Sequence, residues 1–147
     1  MKFFLTKSAR EGSGVFSPLT TVFPSTTAAA LTAIYTGSIP AKHGLTSFSA
    51  HIPDLKDVAN LVFSYGFSDG RQIADFDPFL NKLAASQYLA EKGVHSTSIT
   101  DRNFKGSLLS AVHHRGSAFS GYHFTSTIAT LAADALRENE RNFITIY

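Results

Sequence analysis

An extended run that breaks at a proline and passes directly into an alanine-rich helix constrains this chain more than any other feature. Val15 to Phe23 is β-branched and aromatic and reads as extended, with Pro18 confining its first half to an edge or a loop. Pro24-Ser25-Thr26 ends the run and supplies a capping hydroxyl for a helix over Ala28 to Tyr35, which Gly37 stops. The same alternation recurs downstream. A helix is predicted from Pro78 to Lys92, with Leu80, Leu83, Ala84 and Tyr88 as its buried stripe and Gly93 at its end. Val94 to Thr100 should be a strand, followed by a short helix near Gly106 to His114. Ser126 is expected to N-cap a helix burying Ile128, Leu131, Ala132, Ala135 and Leu136, and Phe143 to Tyr147 reads as a strand buried on both faces.

The remaining segments are weaker. Phe4 to Arg10 has a faint helical pattern, residues 38–60 look irregular, and Leu61 to Phe67 reads as a short strand before a Ser68-Asp69-Gly70 turn. Strands alternating with helices predict an α/β fold: a partly parallel sheet with helices on both faces, formed by residues 1–147 as one unit. Apolar residues make up 44% of the chain and charged residues 16%, enough to bury a core and too apolar for disorder.

Composition also excludes functions. Thirteen basic and 11 acidic residues are scattered without a basic stripe, so no nucleic-acid polymer is indicated as a partner. With no Cys, disulfides, thiolate metal sites and thiol nucleophiles are ruled out, while the compartment stays open. The apolar run near Met1 is shorter than the ~7–15 residues of a signal peptide's core. No stretch approaches the ~20 apolar residues of a membrane span.

Six His invite a metal reading that their spacing does not support. His113 and His114 are adjacent, and neighbouring side chains on a helix do not converge as i,i+3 or i,i+4 pairs do. His51, His95 and His123 have no partners at ligand spacing. Asp75 and Asp77, with Asp69, form the one acidic cluster, and Asp77 is better placed to cap the helix that Pro78 begins.

The segment Val22-Phe23-Pro24-Ser25-Thr26-Thr27-Ala28-Ala29-Ala30, running on through Thr36-Gly37 to Pro40-Ala41-Lys42-His43-Gly44, closely resembles the nucleophile region of the type I phosphodiesterase/nucleotide pyrophosphatase family. That family belongs to the alkaline phosphatase superfamily. A fainter likeness continues through Phe104-Lys105-Gly106-Ser107, His114-Arg115-Gly116-Ser117 and the last helix–strand pair. The resemblance implies an incomplete alkaline-phosphatase-like core. It implies a metal-dependent phosphodiesterase or phosphatase acting on phosphate esters, with Thr27 as nucleophile and metal ligand. A covalent phospho-threonine and two divalent ions, usually zinc, would serve the reaction. His43 would hold the loop after the nucleophile helix.

A hydroxyl at this place makes chemical sense. The first turn of a helix presents unpaired N–H groups and the positive end of the dipole, which favour an alkoxide and receive phosphoryl oxygens. Taken alone, Thr26 and Thr27 are better explained as ordinary cap residues than as a nucleophile. The chain departs from the family at two places. Ala30 stands where nucleotide pyrophosphatases carry an Asn that helps hold phosphate, and Glu11 is the one acid before Thr27, where a ligand Asp is expected. The resemblance places the other ligands beyond Tyr147, so the 147 residues read as a fragment that is inert by itself. The rival reading is a non-catalytic relative used for phosphate binding or protein contact. Cut sheet edges would favour self-association.

Overall fold

A computed structural model describes residues 10–12, 14–73 and 84–147. The helix after the proline is α1, Thr27–Thr36, and Thr26 caps it by accepting a hydrogen bond from the Ala29 amide at 3.3 Å. Such a cap contributes about 1 kcal/mol. Gly37 ends the helix in the left-handed region. The residues before it do not form a strand: 14–26 carry no regular structure, and Val15, Leu19 and Phe23 are more than 90% exposed. Among the described residues no partner strand lies beside them, and β-branched character alone does not make a strand.

Residues 38–60, expected to be irregular, contain the one-turn helix α2, Pro40–His43, and an antiparallel hairpin. Its strands are β1, Ser49–Ile52, and β2, Asp57–Asn60, with Ile52 opposite Asp57. Their connection is a tight turn over Pro53–Leu55 closed by Lys56 in the left-handed region. A Gly or Asn there would have announced the hairpin, and a Lys does not.

The strand expected over Leu61 to Phe67 shrinks to β3, Tyr65–Gly66, paired with β2. Asn60 explains the correction. Its Oδ1 accepts from the Val62 and Phe63 amides at 3.1 and 3.0 Å, folding residues 61–64 into a turn in place of an extended run. The turn docks onto the helix α4, Leu108–His113, because the Leu108 amide donates to Ser64 Oγ and the Leu109 amide to the Leu61 carbonyl. Ala28, Leu45, Ile52, Ala59, Leu61, Ile73, Leu108 and Leu109 form one buried cluster around this junction.

The second half is a parallel sheet. The helix α3, Ala85–Glu91, precedes β4, His95–Asp101. Residues 74–83, and with them Leu80, Leu83 and the proposed helix start at Pro78, lie outside the described residues. Tyr88 is 55% exposed and so is not part of a buried stripe. β4 occupies the centre, with β5, Ala118–Tyr122, on one side and β6, Asn142–Ile146, on the other, all parallel. α4 carries the chain from β4 to β5, and α5, Ile128–Glu138, carries it back past β4 to β6. Crossovers in opposite directions, given the usual right hand of such units, put α4 and α5 on opposite faces. The fold is therefore mixed α/β, as the alternation predicted.

Three local expectations are corrected. Ser126 is not the N-cap of α5: Thr125–Thr127 form a tight turn in which Thr127 Oγ1 donates back to the Phe124 carbonyl. Leu136 on α5 is 59% exposed. The last strand is half-buried at an edge of the sheet, where one side has no strand beside it among the described residues. A glycine is required after α4. Gly116 has φ +76°, and a Cβ there would stand 2.6 Å from the Gln87 side chain and 3.0 Å from its backbone N on α3.

Hydroxyls, and not hydrocarbon, fill the sheet face beneath α1. Tyr35 donates to Thr145 Oγ1 (3.0 Å), Thr145 to Ser98 Oγ (3.1 Å), and Ser117 Oγ to the His114 carbonyl (3.3 Å). With those hydrogens committed, Ser98 donates across the 2.9 Å gap to Ser117. The chain of bonds links α1, β6, β4 and the loop after α4.

Edges of β5 and β6 that no strand covers among the described residues, together with the exposed apolar side chains Val15, Leu19 and Phe23, predict self-association. Light scattering should register species above the monomer mass. A strictly monomeric protein with a cooperative, high-temperature melt would rule this out.

Candidate functional site

Thr27 is the first residue of α1 and is exposed. The cap residue before it is tied down at both ends of its side chain: Thr26 Oγ1 accepts from Ala29 N and donates to the Thr46 carbonyl at 2.9 Å. Its carbonyl accepts from Ala30 N. Thr27 is thus held at the helix entrance while its neighbour satisfies the amide of the first turn, leaving earlier N–H groups without intrahelical partners. Ala28 and Ala29 are fully buried, and their small size lets the entrance of α1 sit close to the hairpin.

Beside Thr27 opens a cavity of about 300 Å³. Thr100, at the carboxyl end of β4, and Tyr147, just past β6, form its sheet-side wall. Thr27 therefore stands at the C-terminal edge of the parallel sheet, where open α/β sheets hold ligands. Leu31 and Tyr35 continue the α1 wall, Phe48, Val62 and Phe63 come from the hairpin segment, and Phe104 follows β4. Ser107, Leu109, Ser110, His113 and His114 line the α4 side. Sequence spacing gave no sign of this wall, whose members are far apart in the chain and meet through tertiary packing.

His113 is the last residue of α4 and His114 caps it. Both rings face Tyr35, His113 stacked at 4.9 Å and 14°, His114 edge-on at 6.0 Å. His113 Nε2 and Thr32 Oγ1 are 2.8 Å apart in the interior. Burial, reinforced by the neighbouring His114 and His43, pushes the His113 pKa down to about 3. Burial also lowers that of His114. His43 is buried, and its Nδ1 accepts from the Leu45 amide at 3.1 Å, which holds the loop after α2.

The other candidates scatter. His51 and His95 are exposed on β1 and β4, and His123 hydrogen-bonds Arg102 beyond β5. Asp69 is engaged locally with Arg71, accepting its amide at 2.8 Å. Glu11 is exposed, and Asp75 and Asp77 lie outside the described residues. Among the described residues no three His, Asp or Glu come together in a way that holds a metal ion. The two metal ions implied by the resemblance do not fit the donors among the described residues, where no cluster of His, Asp or Glu accompanies the Thr27 hydroxyl. No helix among the described residues is long and apolar enough to cross a membrane.

No curated protein and no solved structure gives a significant match to the chain. A family model does: it matches residues 3–99, from ahead of the α1 junction through the hairpin and on into the centre of β4. That stretch contains the exposed helix-entrance threonine and the strand at whose end it stands, and over it the chain belongs to the type I phosphodiesterase/nucleotide pyrophosphatase family.

Proposed function

We propose that the chain carries the nucleophile of a metal-dependent phosphoester hydrolase, with Thr27 Oγ1 as the attacking atom. The observation that carries this reading is the placement of Thr27: exposed, first in α1, on the wall of a cavity at the carboxyl ends of β4 and β6. In the first half-reaction a bond forms between Oγ1 and phosphorus, the P–O bond to the substrate alcohol breaks, and the threonine proton leaves as the alcohol takes one up. Water then displaces the threonine and releases phosphate or a phosphomonoester. N–H groups at the entrance of α1 and its dipole favour the anionic oxygens. Two divalent ions, zinc in the usual case, would supply Lewis acidity in the working enzyme. The described residues form no cage for them.

The test is hydrolysis of p-nitrophenyl phosphate and bis-p-nitrophenyl phosphate with zinc or manganese added. The 147 residues alone should show no turnover above that of Thr27→Ala, because several kcal/mol of transition-state stabilisation are missing without the ions. In a longer protein that supplies the acidic ligands, turnover should survive Thr27→Ser and disappear in Thr27→Ala. Turnover indifferent to Thr27→Ala would overturn the assignment, and metal-dependent turnover by the 147 residues would mean that ligands are present among them.

A further inference from the structure

A group of cations at the carboxyl edge of the sheet takes no part in the chemistry proposed for Thr27. Arg102 opens the tight turn after β4, and the Lys105 amide closes that turn by donating to the Arg102 carbonyl at 3.1 Å. His123 directly follows β5, and its ring hydrogen-bonds the Arg102 guanidinium. A guanidinium has no lone pair to give, so His123 Nε2 accepts and the ring proton sits on Nδ1. The Lys105 ammonium lies 5.8 Å from the centre of the Phe119 ring, within cation–π range.

Strand register sets the face on which these groups meet. Phe119 and Gly121 of β5 stand opposite Ser98 and Thr100 of β4, so they share the face of Thr100, which lines the cavity. The Phe119 ring is 5.2 Å from that of His114, a cavity wall residue. The cations therefore sit alongside the cavity and outside it, since none of the three lines it. Gly121 makes their arrangement possible. A Cβ there would stand 2.9 Å from Arg102 Cβ, 3.1 Å from Arg102 Cα and 2.9 Å from Phe119 Cε1, so a larger residue would lift the Arg102 turn away from β5. No acid balances the charge: among the described residues neither Arg102 nor Lys105 forms an ion pair. Asp101 alternates onto the opposite face and accepts the Asn103 amide at 2.8 Å.

We propose that Arg102, Lys105 and His123 bind a compact oxyanion, of phosphate or carboxylate chemistry, at the carboxyl edge of the sheet and apart from Thr27. The guanidinium offers a fork of N–H donors, Lys105 an ammonium and His123 the Nδ1 proton, a set that matches the several oxygens of one anion. Hydrogen bonds from charged donors to an anion are the strong kind, and like charges gathered without a counter-charge favour one between them. The site stands on these contacts and needs no part of the nucleophile reading.

The probe is inorganic phosphate, titrated into the 147-residue chain at fixed ionic strength and followed by amide and imidazole resonances. Phosphate should shift the signals of Arg102, Lys105, Gly121 and His123 in one saturable process. Arg102→Gln should weaken binding about fivefold and Lys105→Gln about threefold, and both side chains are exposed, so the fold is spared. Lys92→Gln, ahead of β4 at the other end of the strand, should change nothing. Gly121→Ala alters no charge, yet by displacing Arg102 it should weaken binding as much as Arg102→Gln does. Binding indifferent to Arg102→Gln, or weakened equally by Lys92→Gln, would overturn the inference by reducing it to general attraction. Glycerol phosphate separates the two sources of such an anion. Tighter binding than phosphate assigns the site to an acidic group on a larger molecule, and equal or weaker binding assigns it to the free ion.

Discussion

Acidification from neutral pH should remove about 4–5 kcal/mol of stability through one side chain, His113. The native pKa is about 3, against 6.5 for the free side chain, with burial as the main cause and His114 and His43 as lesser ones. Between these values the unfolded chain binds the proton and the native chain refuses it, so stability rises with pH across that window. The contribution is complete above 6.5 and is lost progressively as pH falls toward 3. His114, half-buried with its pKa also lowered, acts in the same direction. For domains whose total stability is about 5–15 kcal/mol, the effect is a large share of the total, lost in full only as pH approaches 3. Urea titrations at several pH values should show a slope near 1.4 kcal/mol per pH unit below 6, and His113→Gln, which retains a partner for Thr32, should flatten it. A denaturation midpoint unchanged from neutral pH to pH 4 would refute the assignment of the burial to His113.

Ile99→Ala should be the most damaging single truncation in the parallel sheet, at about 3–4 kcal/mol. Ile99 is fully buried in the middle of β4, with Ser120 of β5 on one side and Ile146 of β6 on the other. It points away from the hydroxyl face, since its neighbours Ser98 and Thr100 point toward it. α5 packs across β4 and β6 and cannot collapse into the space left behind without moving both strands. The loss corresponds to a melting temperature lower by roughly 10 °C. Ile99→Val, which removes one methylene, should cost about 1 kcal/mol. A fall of less than 1 kcal/mol for Ile99→Ala would mean that the sheet is not the stabilising centre and that the cluster around Ala28 and Ile52 is.

Where local chemistry decides structure, the sequence could be read. Thr26 and Gly37 bound α1 because a hydroxyl satisfies a free amide and a glycine accepts positive φ, both local events. β4 and β6 announced themselves by composition. The hairpin was hidden because its turn uses Lys56 in a conformation that usually belongs to glycine or asparagine. Leu61 to Phe63 has the composition of a strand, and a side chain one residue earlier, Asn60, folds it into a turn. The cavity was invisible for a different reason. Phe48, Phe63, Phe104 and Tyr147 share no periodicity, and their meeting depends on Ser64 docking onto α4, a contact across 44 residues. The two histidines were read only for metal ligation, and their shared contact with Tyr35 depends on α1 packing against α4, which adjacency in the chain does not reveal.

The hydroxyl chain from Tyr35 to His114 has a consequence for folding errors. A sheet face filled with aliphatic side chains scores a slipped strand almost as well as a native one, because hydrocarbon packs on hydrocarbon without direction. Here a slip of β6 by one residue would present Ile144 or Ile146 to Ser98 in place of Thr145. Tyr35 and Ser98 would then lose hydrogen-bond partners in the interior, at about 1–3 kcal/mol for each group stranded. A slip by two would bring Phe143 or Tyr147 to the same place, with no room for either ring beneath α1. Mispaired arrangements are therefore rejected by directional bonds that only one alignment can satisfy, and the sheet that presents Thr100 and Tyr147 to the cavity is proofread as it assembles.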